Sequence, residues 1–282
     1  MGASIEAYAA KVDAERTQHI RAVGETTGDR WGGATAQRLT ADMTRALSPH
    51  MAYVASLLRP ADVLLDVGGG AGRNALPLAS RCAEVVNIEP SPGMRGQFEA
   101  TAAASGVTNA RIVQADWVSA TGIVGDVALV AHVTYFVRDI EPFIRKLHAA
   151  ARRQVVISVL SEPMPNRYAD FFRLFHGEPK AELPGYRDLL PVLWELGLLP
   201  EVRVFPSELV IARAAPSREE AIKQALDGGW LRADQTERAR SMVESRFDEL
   251  FVQDQHGVHV RRIHGLKEVL ITWETASPLA KH

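Results

Sequence analysis

Nine consecutive residues, Leu64-Leu65-Asp66-Val67-Gly68-Gly69-Gly70-Ala71-Gly72, carry the sharpest chemical signal in the chain. Glycines let a backbone turn tightly and approach a ligand. A helix opening behind such a turn aims its free amides at the same point. The chemistry this suits is the cradling of a nucleotide-type cofactor at the carboxyl edge of a parallel sheet. Glu89 follows at the distance expected for the acidic end of the next strand. Gly70-Ala71-Gly72-Arg73-Asn74-Ala75 can be fitted to the G-x-G-x-x-A dinucleotide fingerprint. Two features oppose that fit. Asp66 lies inside the strand, just before Gly68, where a carboxylate suits a cationic or hydrogen-bond-donating ligand better than a pyrophosphate. A long helical stretch also precedes the strand.

Two further residues, His132 and Tyr135, lie just beyond the fourth expected strand, at the edge where a bound molecule would be handled. Histidine titrates near neutrality and suits a general base; the alternative is a histidine hydrogen-bonded within the strand-end loop. His176 belongs to Phe171-Phe172-Arg173-Leu174-Phe175-His176, whose aromatics either wall a pocket or pack a helix's own apolar face. His256, His259 and His264 crowd one stretch without clustered Cys or Asp partners, so a solvated loop is expected there and no metal site.

These residues must be positioned by alternating strands and helices. Residues 4–23 read as a helix with Ile5, Tyr8 and Val12 on one face. A glycine-rich loop, 24–33, separates it from a second helix carrying Leu39, Met43 and Leu47, running on or restarting through Val54 and Leu58. Apolar runs predict parallel strands at 63–67, 85–88, 111–114, 127–130 and 155–159. Between them stand a short helix from Arg73 to Ser80, a helix capped by Ser91 with Pro92 at its first position, and a helix capped by Asp139 with Phe143, Ile144 and Leu147 inward. Beyond Leu160 the spacing predicts a helix over 188–196, a strand over 202–211, two polar helices within 217–250 and a last strand over 268–273. The expected organisation is a helical segment, 1–60, and one α/β domain, 61–282. Helical inserts near 162–186 and 217–250 are expected to cap the sheet's carboxyl edge.

Composition sets bounds. Of 282 residues, 46% are hydrophobic and 23% charged, an ordinary globular mixture. A net charge of −2 disfavours a phosphate-neutralising surface, so a small-molecule partner is expected rather than nucleic acid. No membrane span and no signal peptide are read, and the single Cys82 excludes an intramolecular disulfide; a cytoplasmic location is the expectation. Oligomeric state stays open.

Taken in order, the motifs resemble those of class I S-adenosylmethionine (SAM)-dependent methyltransferases. Leu64–Gly72 is similar to the family's first motif, apolar-Asp-x-Gly-x-Gly-x-Gly. Glu89 with Pro90-Ser91-Pro92-Gly93-Met94 is similar to its acidic residue and the stretch behind it. Gln114-Ala115-Asp116-Trp117 resembles the third-strand motif, and Asp126 to Asp139 the fourth-strand block. The resemblance covers residues 62 to about 160. It implies a Rossmann-like, doubly wound, mostly parallel α/β sheet, SAM as cofactor and S-adenosylhomocysteine (SAH) as product. It implies that Gly68, Gly69, Gly70 and Gly72 pass the methionine and ribose portions, while Asp66 orients that loop or receives the ammonium indirectly. Glu89, flanked by Pro90 and Met94, would take the ribose hydroxyls, and Asp116 the adenine amino group with Trp117 beside the ring. His132 would face the methionine end, and Trp31, between glycine-rich neighbours, would cover the cofactor or simply pack on the surface. The implied activity is methyl transfer to a small acceptor; an NAD-type oxidoreductase and a non-catalytic SAM-binding module are the alternatives.

Overall fold

The computed structural model describes residues 2–25, 28–29, 31–208, 214–228, 231–276 and 279–280. Its central sheet has seven strands. β1 (Val63–Val67), β2 (Glu84–Ile88), β3 (Ala110–Val113), β4 (Gly125–Ala131) and β5 (Ala151–Leu160) run parallel. β6 (Glu201–Pro206) and β9 (Lys267–Glu274) complete it, β9 lying antiparallel between β5 and β6. The order is β3-β2-β1-β4-β5-β9-β6. The chain therefore reverses direction of winding between β1 and β4, and ligands of such sheets bind outside the carboxyl ends at that point.

Side-chain alternation divides the core between two faces. Leu65, Val67, Val86, Ala128, Val130, Val155 and Ile157 face α1 (Ala3–Val23), α5 (Ile140–Ala150) and α7 (Tyr186–Glu195). Leu64, Val85, Val127, Leu129, Val156 and Leu270 face α3 (Pro49–Leu57) and the 3-10 turn Leu76–Arg81. The N-terminal helix thus closes one face of the sheet: Ile5, Tyr8 and Val12 are buried in it, and the Tyr8 hydroxyl donates to the Thr134 carbonyl at 2.8 Å. α4 (Pro92–Ala104) begins as its sequence requires, with Pro92 first and the Ser91 hydroxyl accepting from the Met94 amide at 3.1 Å.

Several elements differ from expectation. The stretch bearing Leu39, Met43 and Leu47 is not a helix. α2 (Ala34–Arg38) stops before it, Thr40 bridges to Gly72, and Asp42 captures both the Thr44 amide and hydroxyl in a local turn. Pro49 then holds Ser48 extended, and the helix starts afresh. Behind the glycine loop no helix starts at Arg73; the 3-10 turn begins at Leu76. β6 ends at Pro206; residues 209–211 of the longer expected strand lie outside the described residues. Asp139 occupies its helix's N-cap position but makes no cap bond, its carboxylate being taken by Arg138.

The inserts meet each other. Tyr168, Phe171 and Phe172, from α6 (Ala169–His176) and the turn before it, pack with Ile222 and Ala225 of α8 (Arg218–Leu226) and Val243 of α9 (Thr236–Ser245). Leu250 of α10 (Phe247–Leu250) and a hairpin of β7 (Phe251–Asp254) and β8 (Gly257–Val260) complete this satellite core. The hairpin corrects the reading of the histidine-rich stretch as a solvated loop. His259 is buried, 2.9 Å from Asp254, and His264 reaches the same carboxylate. Arg262 ties the hairpin to Glu162 and Glu182. Gly229 and Trp230 lie outside the described residues.

Candidate active site

The glycine loop leaves β1 at the winding reversal. Gly68, Gly70 and Gly72 all hold positive φ, 68°, 56° and 80°, a conformation that costs a side-chain-bearing residue about 1 kcal/mol or more. Gly69 is required by proximity instead: a Cβ there would lie 2.1 Å from Asp66 Oδ2 and 2.7 Å from Asn87 Oδ1. Beneath the loop, Asp66 is 1% exposed, and neither carboxylate oxygen has a hydrogen-bond partner. Burial first, and the nearby Glu89 second, push its carboxyl up to about 7. Asn87, its register partner on β2, donates to the Gly70 carbonyl at 2.9 Å while its own oxygen stays unpartnered.

Glu89 closes the loop from the end of β2. Its Oε2 accepts from the Gly70 amide at 3.0 Å and its Oε1 from the Ser91 amide at 2.8 Å. Burial raises this carboxyl, opposed by those amides. Met94 is buried beside Gly70, and Pro90 is exposed. Asp116 is exposed and turned toward its own Val118 amide at 2.9 Å. Trp117 is buried: its indole N–H donates to the Phe143 carbonyl, and the Lys146 ammonium stands over its ring.

Trp31 is held where the loop passes α4, its ring edge-on to Phe136 with centroids 5.6 Å apart. The fastening is Asp29, whose carboxylate accepts from the Ser91 hydroxyl at 2.8 Å, the Gly93 amide at 2.9 Å and the Trp31 amide at 3.1 Å. The Gly93 amide is the main reason that carboxyl is held low. A Cβ on Gly93 would lie 2.5 Å from Gly32 Cα, so loop and helix touch backbone to backbone.

At the end of β4, His132 takes φ 60°, alone among the described non-glycine residues in that region. Strain of this kind persists where surrounding structure over-determines it and concentrates at functional sites. Its amide donates to the Ser158 carbonyl at 2.8 Å, and its Nε2 stands 3.7 Å from Glu268 Oε2. Tyr135, expected to face an acceptor, is buried. It is 2% exposed, its oxygen accepts from the Leu160 amide at 2.6 Å, and His132 Nδ1 lies 3.5 Å away. Burial drives the phenol well above its ordinary range.

Reading the sequence missed Asp29, Asn87 and Glu268. For Glu268 a signal existed: a carboxylate spaced by two from Leu270 and Thr272 in an apolar strand shares their inward face. Among the described residues no cluster of His, Cys, Asp and Glu could hold a metal ion, and no helix is long and apolar enough to cross a membrane.

Comparison with known proteins agrees with this geometry. Residues 65–159 match a family model described as a methyltransferase domain. No curated protein sequence matches the chain. Among solved structures, a putative methyltransferase from Bacillus halodurans superposes with a TM-score of 0.57 at 13% identity, covering 84% of this chain and 99% of that one. The YcgJ protein of Bacillus subtilis gives 0.55 at 15% identity, over 79% and 97%. The glycine loop at the winding reversal and the acidic end of β2 lie within the residues that match the methyltransferase domain, and the fold is that of these solved structures.

Proposed function

We propose that the protein binds SAM at the β1–β2 edge and methylates a small-molecule acceptor. The observation that carries this reading is the orphaned Asp66 carboxylate under a glycine loop clasped by Glu89. A buried carboxylate without donors fits a ligand that brings positive charge and hydrogen-bond donors to that loop. The carboxylates of Asp66, Glu89 and exposed Asp116 only accept hydrogen bonds when ionised, matching an ammonium, ribose hydroxyls and an adenine amino group, and mismatching a pyrophosphate. The dinucleotide alternative also needs a helix N-terminus directly behind the loop, and the chain has a 3-10 turn starting at Leu76 instead.

In this assignment Gly68, Gly69, Gly70 and Gly72 line the methionine and ribose portions. Glu89 holds the ribose, Met94 and Pro90 flank it, and Trp31 covers it from the loop that Asp29 fastens. SAM supplies a methyl group already activated as a sulfonium substituent. The chain's own residues orient the acceptor, exclude water and remove a proton where the acceptor carries one. His132 is the group for that proton. Tyr135 acts through it, as a positioning residue beneath the imidazole. The modest net charge supports a small molecule over nucleic acid as acceptor.

Calorimetric titration with SAM, SAH and NADH tests the cofactor, and SAH release across a metabolite library tests the reaction. Binding of NADH without either SAM compound would overturn the reading. The joined inserts, 162–186 and 217–250, are proposed to cap the acceptor side. Hydrogen exchange with and without SAH is expected to show added protection in both, and protection confined to residues 64–135 removes the cap.

A further inference from the structure

β6 ends the sheet order, and among the described residues no strand pairs with its outer edge. An open edge presents a row of unpaired N–H and C=O groups, which sheets blunt with lysines, bulges, prolines or a covering element. β6 carries no lysine, and its register against β9 runs from Glu201 to Pro206 without a shift. Its prolines stand at the limits, Pro200 before the strand and Pro206 closing it, so each residue from Glu201 to Phe205 keeps its N–H. Of these five only Phe205 is partly covered; the rest are exposed.

The two faces of β6 differ. Val202 and Val204 pair with Ile271 and Val269, which places them on the face that α7 covers further in, yet they are 42% and 62% exposed. With Trp194 and Leu199 they make four of the eight large apolar side chains exposed among the described residues, all within 194–204. Exposed apolar residues scattered singly are ordinary, whereas a concentration beside an open edge marks a contact surface. Glu201, Arg203 and Phe205 share the other face, over α3: Arg203 donates to Glu201 at 3.1 Å and stands over the Tyr53 ring, with Phe205 beside that ring. The edge therefore offers one acid and one base, two residues apart, on a single face.

That pattern is its own complement. A two-fold axis perpendicular to the sheet keeps each face continuous, so it must pass through a residue of β6. At Val202 it sets Val202 against its own copy and Glu201 against the partner's Arg203, each acid then lying between two guanidinium groups. At Arg203 it would oppose two cations directly, and like charges across a ladder are unfavourable. We propose that β6 pairs antiparallel with β6 of a second copy of this chain, centred on Val202, joining two sheets into one. The proposal is independent of the cofactor assignment.

Sedimentation velocity is expected to show a dimer at tens of micromolar, and a monomer at every concentration overturns the proposal. R203E sets carboxylates against each other and is expected to weaken self-association at least tenfold, while E201R/R203E restores it to within threefold of the wild type. A dimer indifferent to R203E, or one the double exchange does not restore, places the interface elsewhere and overturns it. Urea midpoints within the spread of the wild type show that these variants fold. Should R203E not fold, cross-linking still decides. V202C is expected to form a disulfide-linked dimer on oxidation, because residues facing each other across a ladder have Cα atoms about 4.5–5.5 Å apart. V204C is expected to form none, since its copies lie four residues apart along the strands, roughly 13 Å. Native Cys82 is buried and gives no background. Equal cross-linking of V202C and V204C, or none in V202C, refutes the pairing.

Discussion

Asp66→Asn is expected to make the ligand-free protein more stable at pH 8 while weakening its hold on SAM. The wild-type carboxyl sits at about 7 in the fold against an ordinary 3.8, because it is buried without a donor and Glu89 is near. An acid raised in this way binds more protons folded than unfolded. Its contribution is fully present below about pH 3.8 and is lost as pH rises through about 7. Each unit costs 1.36 kcal/mol, so the penalty at pH 8 is on the order of 4 kcal/mol as a ceiling. Asparagine carries no such penalty, and its amide would lie beside the unpartnered Asn87 oxygen. Urea unfolding at pH 4 and pH 8 measures it. The variant is expected to match the wild type closely at pH 4 and to gain about 2–4 kcal/mol at pH 8. A gain independent of pH, or no gain at pH 8, would refute the argument that an uncompensated buried charge lies under the loop.

Other outcomes follow from the same geometry. Glu89→Ala is expected to weaken SAH binding by on the order of 2–4 kcal/mol, since it removes a carboxylate acceptor and frees the Gly70 and Ser91 amides; calorimetry showing less than about a threefold change would exclude it as the ribose ligand. Gly93→Ala drives a Cβ into Gly32 and is expected to lift the Trp31 loop, changing tryptophan emission and lowering SAH affinity about threefold to tenfold. Unchanged affinity with altered emission would show that Trp31 does not cover the cofactor. Tyr135→Phe strands the buried Leu160 amide and is expected to cost about 1–3 kcal/mol of stability. Full stability with lost methyl transfer would instead make the phenol a catalytic group.

Much of this protein was legible in its residues because the signals are local. Leu64 to Gly72 encodes a buried strand and a tight turn without reference to anything distant, and Ser91-Pro92 encodes a helix start. Apolar runs alternating with amphipathic helices fix a parallel sheet by the need to bury both its faces. Local pattern also misled. The spacing of Leu39, Met43 and Leu47 is helical, yet the Asp42 turn and the Thr40 bridge to Gly72 override it.

What only the tertiary structure decided is which side chains share an environment. Asp29 and Gly93 are far apart in sequence and in contact in space, so no period or motif marks the fastening of the Trp31 loop. Nothing in the sequence says that the Trp117 ring is buried with its indole N–H on the Phe143 carbonyl of α5. Glu268 is an ordinary surface type in sequence. It becomes chemically significant because β9 inserts antiparallel beside β5 and brings this carboxylate, fully buried, to the carboxyl edge. Residue types determine what chemistry is available. The fold determines which groups lose their water together, and that loss gives them their reactivity.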